Sequence, residues 1–167
     1  MKILTIGIVS LLVLGGGANP VLAKAYVQKD RLFSIDVPQG WHWFEYPEEV
    51  VITLPDGKTM GIDIQFLANR QLSVQDIPKT LKESNEKMIN EGIKAHGGTL
   101  IADKEIHVDG VYARELDFNP DPHNPIPVTY IALFNKGYAF TITYGSAQRK
   151  DNLIMQKAVG TLQFIKD

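Results

Sequence analysis

The sequence predicts one α+β domain, a largely antiparallel β-sheet sandwiched by helices. Three observations lead there. Apolar and polar residues alternate along several short segments, the period of half-buried strands. Turn signals such as Asp109-Gly110 and Lys136-Gly137 separate pairs of those segments. Two other stretches, about 73–92 and 148–160, carry apolar residues at helical spacing. Strands in runs, interrupted by a helix, indicate an antiparallel sheet rather than a parallel one.

Residues 1–23 read as a secretory signal peptide. Lys2 supplies the positive end, and Ile3–Leu14 is an apolar run of 12 residues. Gly15, Gly16, Gly17, Asn19 and Pro20 then break any helix. Val21-Leu22-Ala23 presents small residues for cleavage after Ala23, and Ala23-Lys24-Ala25 offers cleavage after Ala25. Twelve apolar residues fall short of the roughly 20 that span a bilayer. No stable membrane span is therefore expected after cleavage. The expected location is exported, periplasmic or extracellular. Removing 23 of the 167 residues leaves 144, one domain's worth, and takes away only Lys2, moving the net charge from −2 to −3.

Phe33, Ile35 and Val37 alternate as a first strand, closed by Pro38-Gln39-Gly40. Trp41–Tyr46 is a second, aromatic-rich strand, and Val50–Leu54 a third. Pro55-Asp56-Gly57 is a turn in which Pro presets φ and Gly accepts φ > 0. Ile62, Ile64 and Phe66 define a fourth strand. These four read as one meander. Ser73 and Asp76 then resemble a capping box at the start of a helix. Val74, Ile77, Leu81 and Met88 form its stripe, and Gly92 or Gly97-Gly98 its stop.

Thr99–His107 and Val111–Phe118 form a hairpin, as do Val128–Phe134 and Tyr138–Tyr144. The proline-rich stretch 119–127 between these hairpins is an irregular loop. Residues 148–160 read as a second helix, and Thr161–Ile165 as a short edge strand. Val128, Tyr130 and Phe134 oppose Ile131 and Leu133, so that strand needs apolar cover on both faces, one helix on each.

Composition excludes several functions. The chain has no cysteine, which removes thiol catalysis, thiolate zinc sites and lipid attachment at the cleavage point. A net charge of −2 does not suit a nucleic-acid binder, which needs a basic face. Motifs for phosphate loops, zincins, EF-hands and α/β-hydrolase nucleophiles are absent. Ser84-Asn85-Glu86-Lys87 matches S-x-x-K, but it sits within the first helix without the partner motifs of that chemistry.

Phe33-Ser34-Ile35-Asp36-Val37-Pro38-Gln39-Gly40-Trp41 opens the domain, and Lys136-Gly137-Tyr138-Ala139-Phe140-Thr141-Ile142-Thr143-Tyr144 leads into its last helix. With the central helix, the Asp109-Gly110 hairpin and the closing Thr161-Leu162-Gln163-Phe164, the chain resembles the PsbP-like family over most of residues 26–165. The family takes its name from an extrinsic subunit of photosystem II. Envelope proteins of the DcrB type are similar. The resemblance implies an antiparallel sheet between helices and, for bacterial members, secretion. No motif here carries over the photosystem role.

Two groups stand out as candidate sites. Asp117, Asp121 and His123 lie in and beside the proline-rich loop and are the candidate ligands for a divalent metal. Their plainer reading is a rigid polar surface loop. Trp41-His42-Trp43-Phe44-Glu45-Tyr46 places Trp41 and Trp43 on one strand face and His42, Phe44 and Tyr46 on the other. One set belongs in the core. Trp41 and Trp43 are the candidates for an exposed binding surface. The plainer reading has core beneath this strand and a helix above it. Glu45, Glu48 and Glu49 make a small acidic cluster, read by default as solvated.

The expected function is that of a secreted, non-enzymatic accessory or binding protein in the bacterial cell envelope. It would act without a cofactor, by contact with an envelope protein or complex. The alternatives are a small-ligand- or divalent-metal-binding periplasmic protein, and a hydrolase with an unrecognised site.

Overall fold

The computed structural model of the chain describes residues 23–69, 72–123 and 126–165. The segment read as a signal peptide lies outside the described residues, Ala23 excepted. Among the described residues no helix is long and apolar enough to cross a membrane.

The strands are β1 (Lys24–Val27), β2 (Phe33–Val37), β3 (His42–Tyr46), β4 (Glu49–Thr53), β5 (Met60–Ala68), β6 (Thr99–Val108), β7 (Val111–Asn119), β8 (Val128–Asn135), β9 (Tyr138–Gly145) and β10 (Gln163–Phe164). Seven form an antiparallel sheet in the order β3-β4-β5-β9-β8-β7-β6. The other three form a small sheet, β1-β2-β10. The hairpins arise from turn chemistry. Asp109 and Gly110 take φ of 49° and 77°, and Lys136 and Gly137 take 47° and 78°. Positive φ at both central residues gives the turn a twist that matches its flanking strands. Asp56 organises the β4–β5 turn by accepting from the Lys58 and Thr59 amides at 3.0 and 2.8 Å. Its carboxyl is thereby lowered to about 2, chiefly by the Thr59 hydroxyl and amide.

The first strand of the expected meander belongs elsewhere. β2 leaves β3–β5 and pairs with β1 and β10, so Phe33, Ile35 and Val37 lie over the large sheet. The reason is burial. All three side chains are almost wholly hidden, against Ile62, Ile64, Phe66, Phe140 and Ile142 among others. A two-residue strand at the C-terminus and a four-residue strand at the N-terminus carry too little periodicity to announce that pairing.

Two helices flank the large sheet. α1 (Ile77–Lys87) enters through a 3₁₀ turn at Val74–Asp76 and continues as a π-turn over Met88–Ile93 and a 3₁₀ turn over Lys94–His96. Ser73 bonds the Asp76 side chain at 2.6 Å instead of capping a backbone amide. Gly92 is carried inside the helical run, and the stop is Gly97, with φ 80°. The Gly98 amide then reaches back to the Ile93 carbonyl at 2.9 Å, the Schellman closure. Ile89 and Ile93 pack on Leu116 and Phe118, with Tyr130 and Val128 beside them.

α2 (Arg149–Val159) lies on the opposite face. It buries Met155, Ala158 and Val159 in the core that the small sheet also covers. β8 is therefore apolar on both faces, as its sequence requires, and the domain is a sheet between helices.

Candidate functional site

Among the described residues, cover on the α1 side is incomplete. α1 packs on β7 and β8. The same face continues across β9, β5, β4 and β3, and its residues there can be read from the register. Phe44 pairs with Val51, Val51 with Asp63, and Asp63 with Thr143. In the next row Tyr46 pairs with Glu49, Glu49 with Gln65, and Gln65 with Thr141. Cross-strand partners share a face, so these rows form one surface. On it Phe44 is 47% exposed, Tyr46 50% and Leu67 57%. A shallow groove of about 410 Å³ runs between Glu48, Glu49, Gln65, Leu67, Ala139 and Thr141.

The outward aromatics are thus Phe44 and Tyr46, joined by His42, while the tryptophans face inward. This corrects the expectation of an exposed surface at Trp41; Trp43 is half-buried and lines a surface recess with His42 and Phe44. Trp41 is only 7% exposed. It lies so close to Gly61 that a Cβ there would meet its ring at 2.7 Å. Trp43 packs on Tyr26 with ring centroids 5.5 Å apart, and the Lys24 ammonium lies 4.9 Å from its ring. Glu45 is likewise inward and leaves the acidic cluster. It accepts from the Tyr26 hydroxyl at 2.6 Å, Gln28 Nε2 at 3.2 Å and the Lys29 amide at 3.1 Å. Burial, then the bond to Glu45, raises the Tyr26 hydroxyl well above its ordinary range.

The sequence reading overlooked Asp63 and Leu67. Their signal is the β5 alternation itself, in which a buried Ile62, Ile64 and Phe66 force Asp63, Gln65 and Leu67 outward. Asp63 is pushed up to about 6, first by burial and then by the Glu49 carboxylate. Gln65 Nε2 bridges the two acids, at 3.0 Å to Asp63 and 3.4 Å to Glu49. A raised carboxyl pKa means the folded state holds its proton longer than the unfolded state. Its contribution to stability is full below the ordinary value of 3.8 and is lost as the pH rises through about 6. Asp63→Asn is expected to flatten the fall in stability between pH 4 and 6.5. Urea midpoints across that range check it; an unchanged slope would refute the assignment.

The proposed metal ligands are differently placed. Asp117 faces the α2 side and is engaged by Lys104 Nζ at 2.6 Å and the Thr129 hydroxyl at 2.8 Å. Lys104 also donates to Glu115 at 2.9 Å, and both acids raise the Lys104 ammonium. Asp121 accepts from the His123 amide at 2.7 Å, a local turn. Among the described residues no three His, Asp or Glu side chains gather to hold a metal ion. His96 Nδ1 lies 2.9 Å from the Gly92 carbonyl oxygen, and His107 sits edge-on to Tyr112.

Comparison with known proteins supports the fold. The chain is similar to the solution structure of cyanobacterial PsbP (CyanoP) from Synechocystis sp. PCC 6803, with a TM-score of 0.61 and 13% identity over 92% of this chain and 99% of that one. It is similar too to a Pseudomonas aeruginosa protein of unknown function, PA94, with a TM-score of 0.52 and 12% identity over 87% of this chain and 99% of the other. No protein-family model and no curated protein sequence matches. The fold is PsbP-like: an α+β domain with a largely antiparallel sheet between helices.

Proposed function

We propose that the chain is an exported, non-catalytic accessory protein of the cell envelope that docks on a partner protein through the open half of its large sheet. The observation that supports this reading most is the set of outward side chains Phe44, Tyr46 and Leu67 on a face that α1 leaves uncovered among the described residues. Exposed aromatic and aliphatic side chains grouped on a rigid sheet are a marker of interaction surfaces. Glu48, Glu49 and Asp63 lie among them, so charge complementarity favours a partner segment in which Lys or Arg accompanies apolar residues. The signal-peptide pattern of residues 1–23 supports export. In this reading no resident cofactor is required.

Site-specific photocrosslinking in intact cells tests it. A photoreactive residue at position 44 or 46 is expected to trap one reproducible envelope protein. The same probe at Lys150, on the other side of the domain, is expected not to. Equal yields from all three positions, or none from 44 and 46, would overturn the reading.

A further inference from the structure

A second site lies on the opposite face, and its argument does not depend on the open sheet surface. One face of α2 packs Met155, Ala158 and Val159 into the core, while another turns Arg149, Asn152 and Gln156 toward a crevice. These positions, with Leu153, follow i, i+3, i+4, i+7, one face of the helix. Facing them are Lys104, Glu115, Asp117, Thr129 and Tyr144 from four adjacent strands. Asp117, Thr129 and Tyr144 are in register with one another across β7, β8 and β9. A helix lying on a sheet needs apolar residues on both walls; here both walls are largely polar, around a space of about 200 Å³. That is roughly six or seven waters at ~30 Å³ each, suited to a small ligand.

The lining has a definite chemistry. Lys104 and Arg149 balance Glu115 and Asp117, so the site carries no net charge. Lys104 gives two of its protons to Glu115 and Asp117, and Thr129 gives its own to Asp117. Asn152 Nδ2 donates to the Ser146 carbonyl at 2.7 Å, which fixes the amide's orientation. Its Oδ1 is buried and receives no donor among the described residues. Arg149, one helical turn away, offers the guanidinium fork that matches a carboxylate.

We infer that this crevice binds a small zwitterion of the α-amino-acid class. The ligand's carboxylate lies on Arg149, and its ammonium donates to the remaining lone pairs of Asp117 and Glu115. A ligand with both charges keeps the site neutral, whereas a simple anion or cation leaves one wall unmatched.

Isothermal titration of the mature chain with L-serine, L-glutamine, N-acetyl-L-serine, acetate and glucose tests this. Saturable heat is expected for serine or glutamine, with binding about tenfold or more weaker for N-acetylserine, acetate and glucose. Arg149→Gln, at an exposed position, is expected to weaken amino-acid binding at least tenfold with an unchanged melting curve. No heat from either amino acid, equal binding of acetate or glucose, or undiminished binding by Arg149→Gln would overturn the proposal. None of these results bears on partner docking at Phe44 and Tyr46.

Discussion

Phe33→Ala is expected to lower the stability of the folded domain by about 3–5 kcal/mol, the range for removing a fully buried Phe. Phe33 has no exposed surface. Its ring meets those of Phe66, Phe140 and Tyr26 at 6.0, 6.2 and 6.4 Å between centroids. Two of those partners belong to the large sheet, while Phe33 belongs to the small one, so the aromatic group joins the two layers. Stabilities of 5–15 kcal/mol are usual for a domain, and this single change removes a large part of that. Urea denaturation gives the difference directly from the midpoint at constant slope. A loss below 1 kcal/mol would show that the small sheet is not packed on the large one as described.

Asn85→Leu is expected to act in the opposite direction and stabilise the domain by about 1–3 kcal/mol. Asn85 is fully buried on α1, one turn from the equally buried Leu81. Among the described residues neither its Oδ1 nor its Nδ2 has a hydrogen-bond partner. An unsatisfied buried polar group costs about 1–3 kcal/mol, and an apolar group of similar shape escapes that cost. Leucine also has a better helix propensity than asparagine. Asn85→Asp is the matching control and is expected to destabilise, because a buried carboxylate without a donor is worse than an amide. The same denaturation measurement reads both variants. A loss of stability in Asn85→Leu would mean that the amide is satisfied by a group beyond the protein's own atoms.

Local chemistry was enough to read the hairpins. Gly110 and Gly137 each follow a residue with a positive φ, and the strands on either side alternate by two. These signals lie within a few residues of the turns they specify. The end of the first helical segment was less legible. Gly92 and Gly97 are both plausible stops in sequence, and only the packing of Ile93 on Leu116 and Phe118 carries the chain on to Gly97.

The candidate sites were legible only in part. Alternation along Trp41–Tyr46 separates two sets of aromatics but is symmetric with respect to inside and outside. The inner side is the one on which Tyr26, Lys24 and Gly61 wait for the tryptophans. Two of those residues come from a strand too short to be foreseen. Asp117 shows the same limit. Its spacing to Asp121 and His123 suggested shared ligation, yet on a strand its side chain is committed to one face. There it meets Lys104 from the neighbouring strand, 13 residues away.

The residues alone thus determined the class of fold, the hairpins, the two helical segments and the need to cover β8 on both faces, because these depend on local period and turn geometry. Tertiary structure decided that β2 leaves the meander, that the tryptophans face inward and that one half of the sheet stays open. It also set Asn152 and Arg149 of α2 opposite the polar row of Asp117, Thr129 and Tyr144. Those choices rest on which apolar faces bury one another across long stretches of sequence, and no local pattern records that.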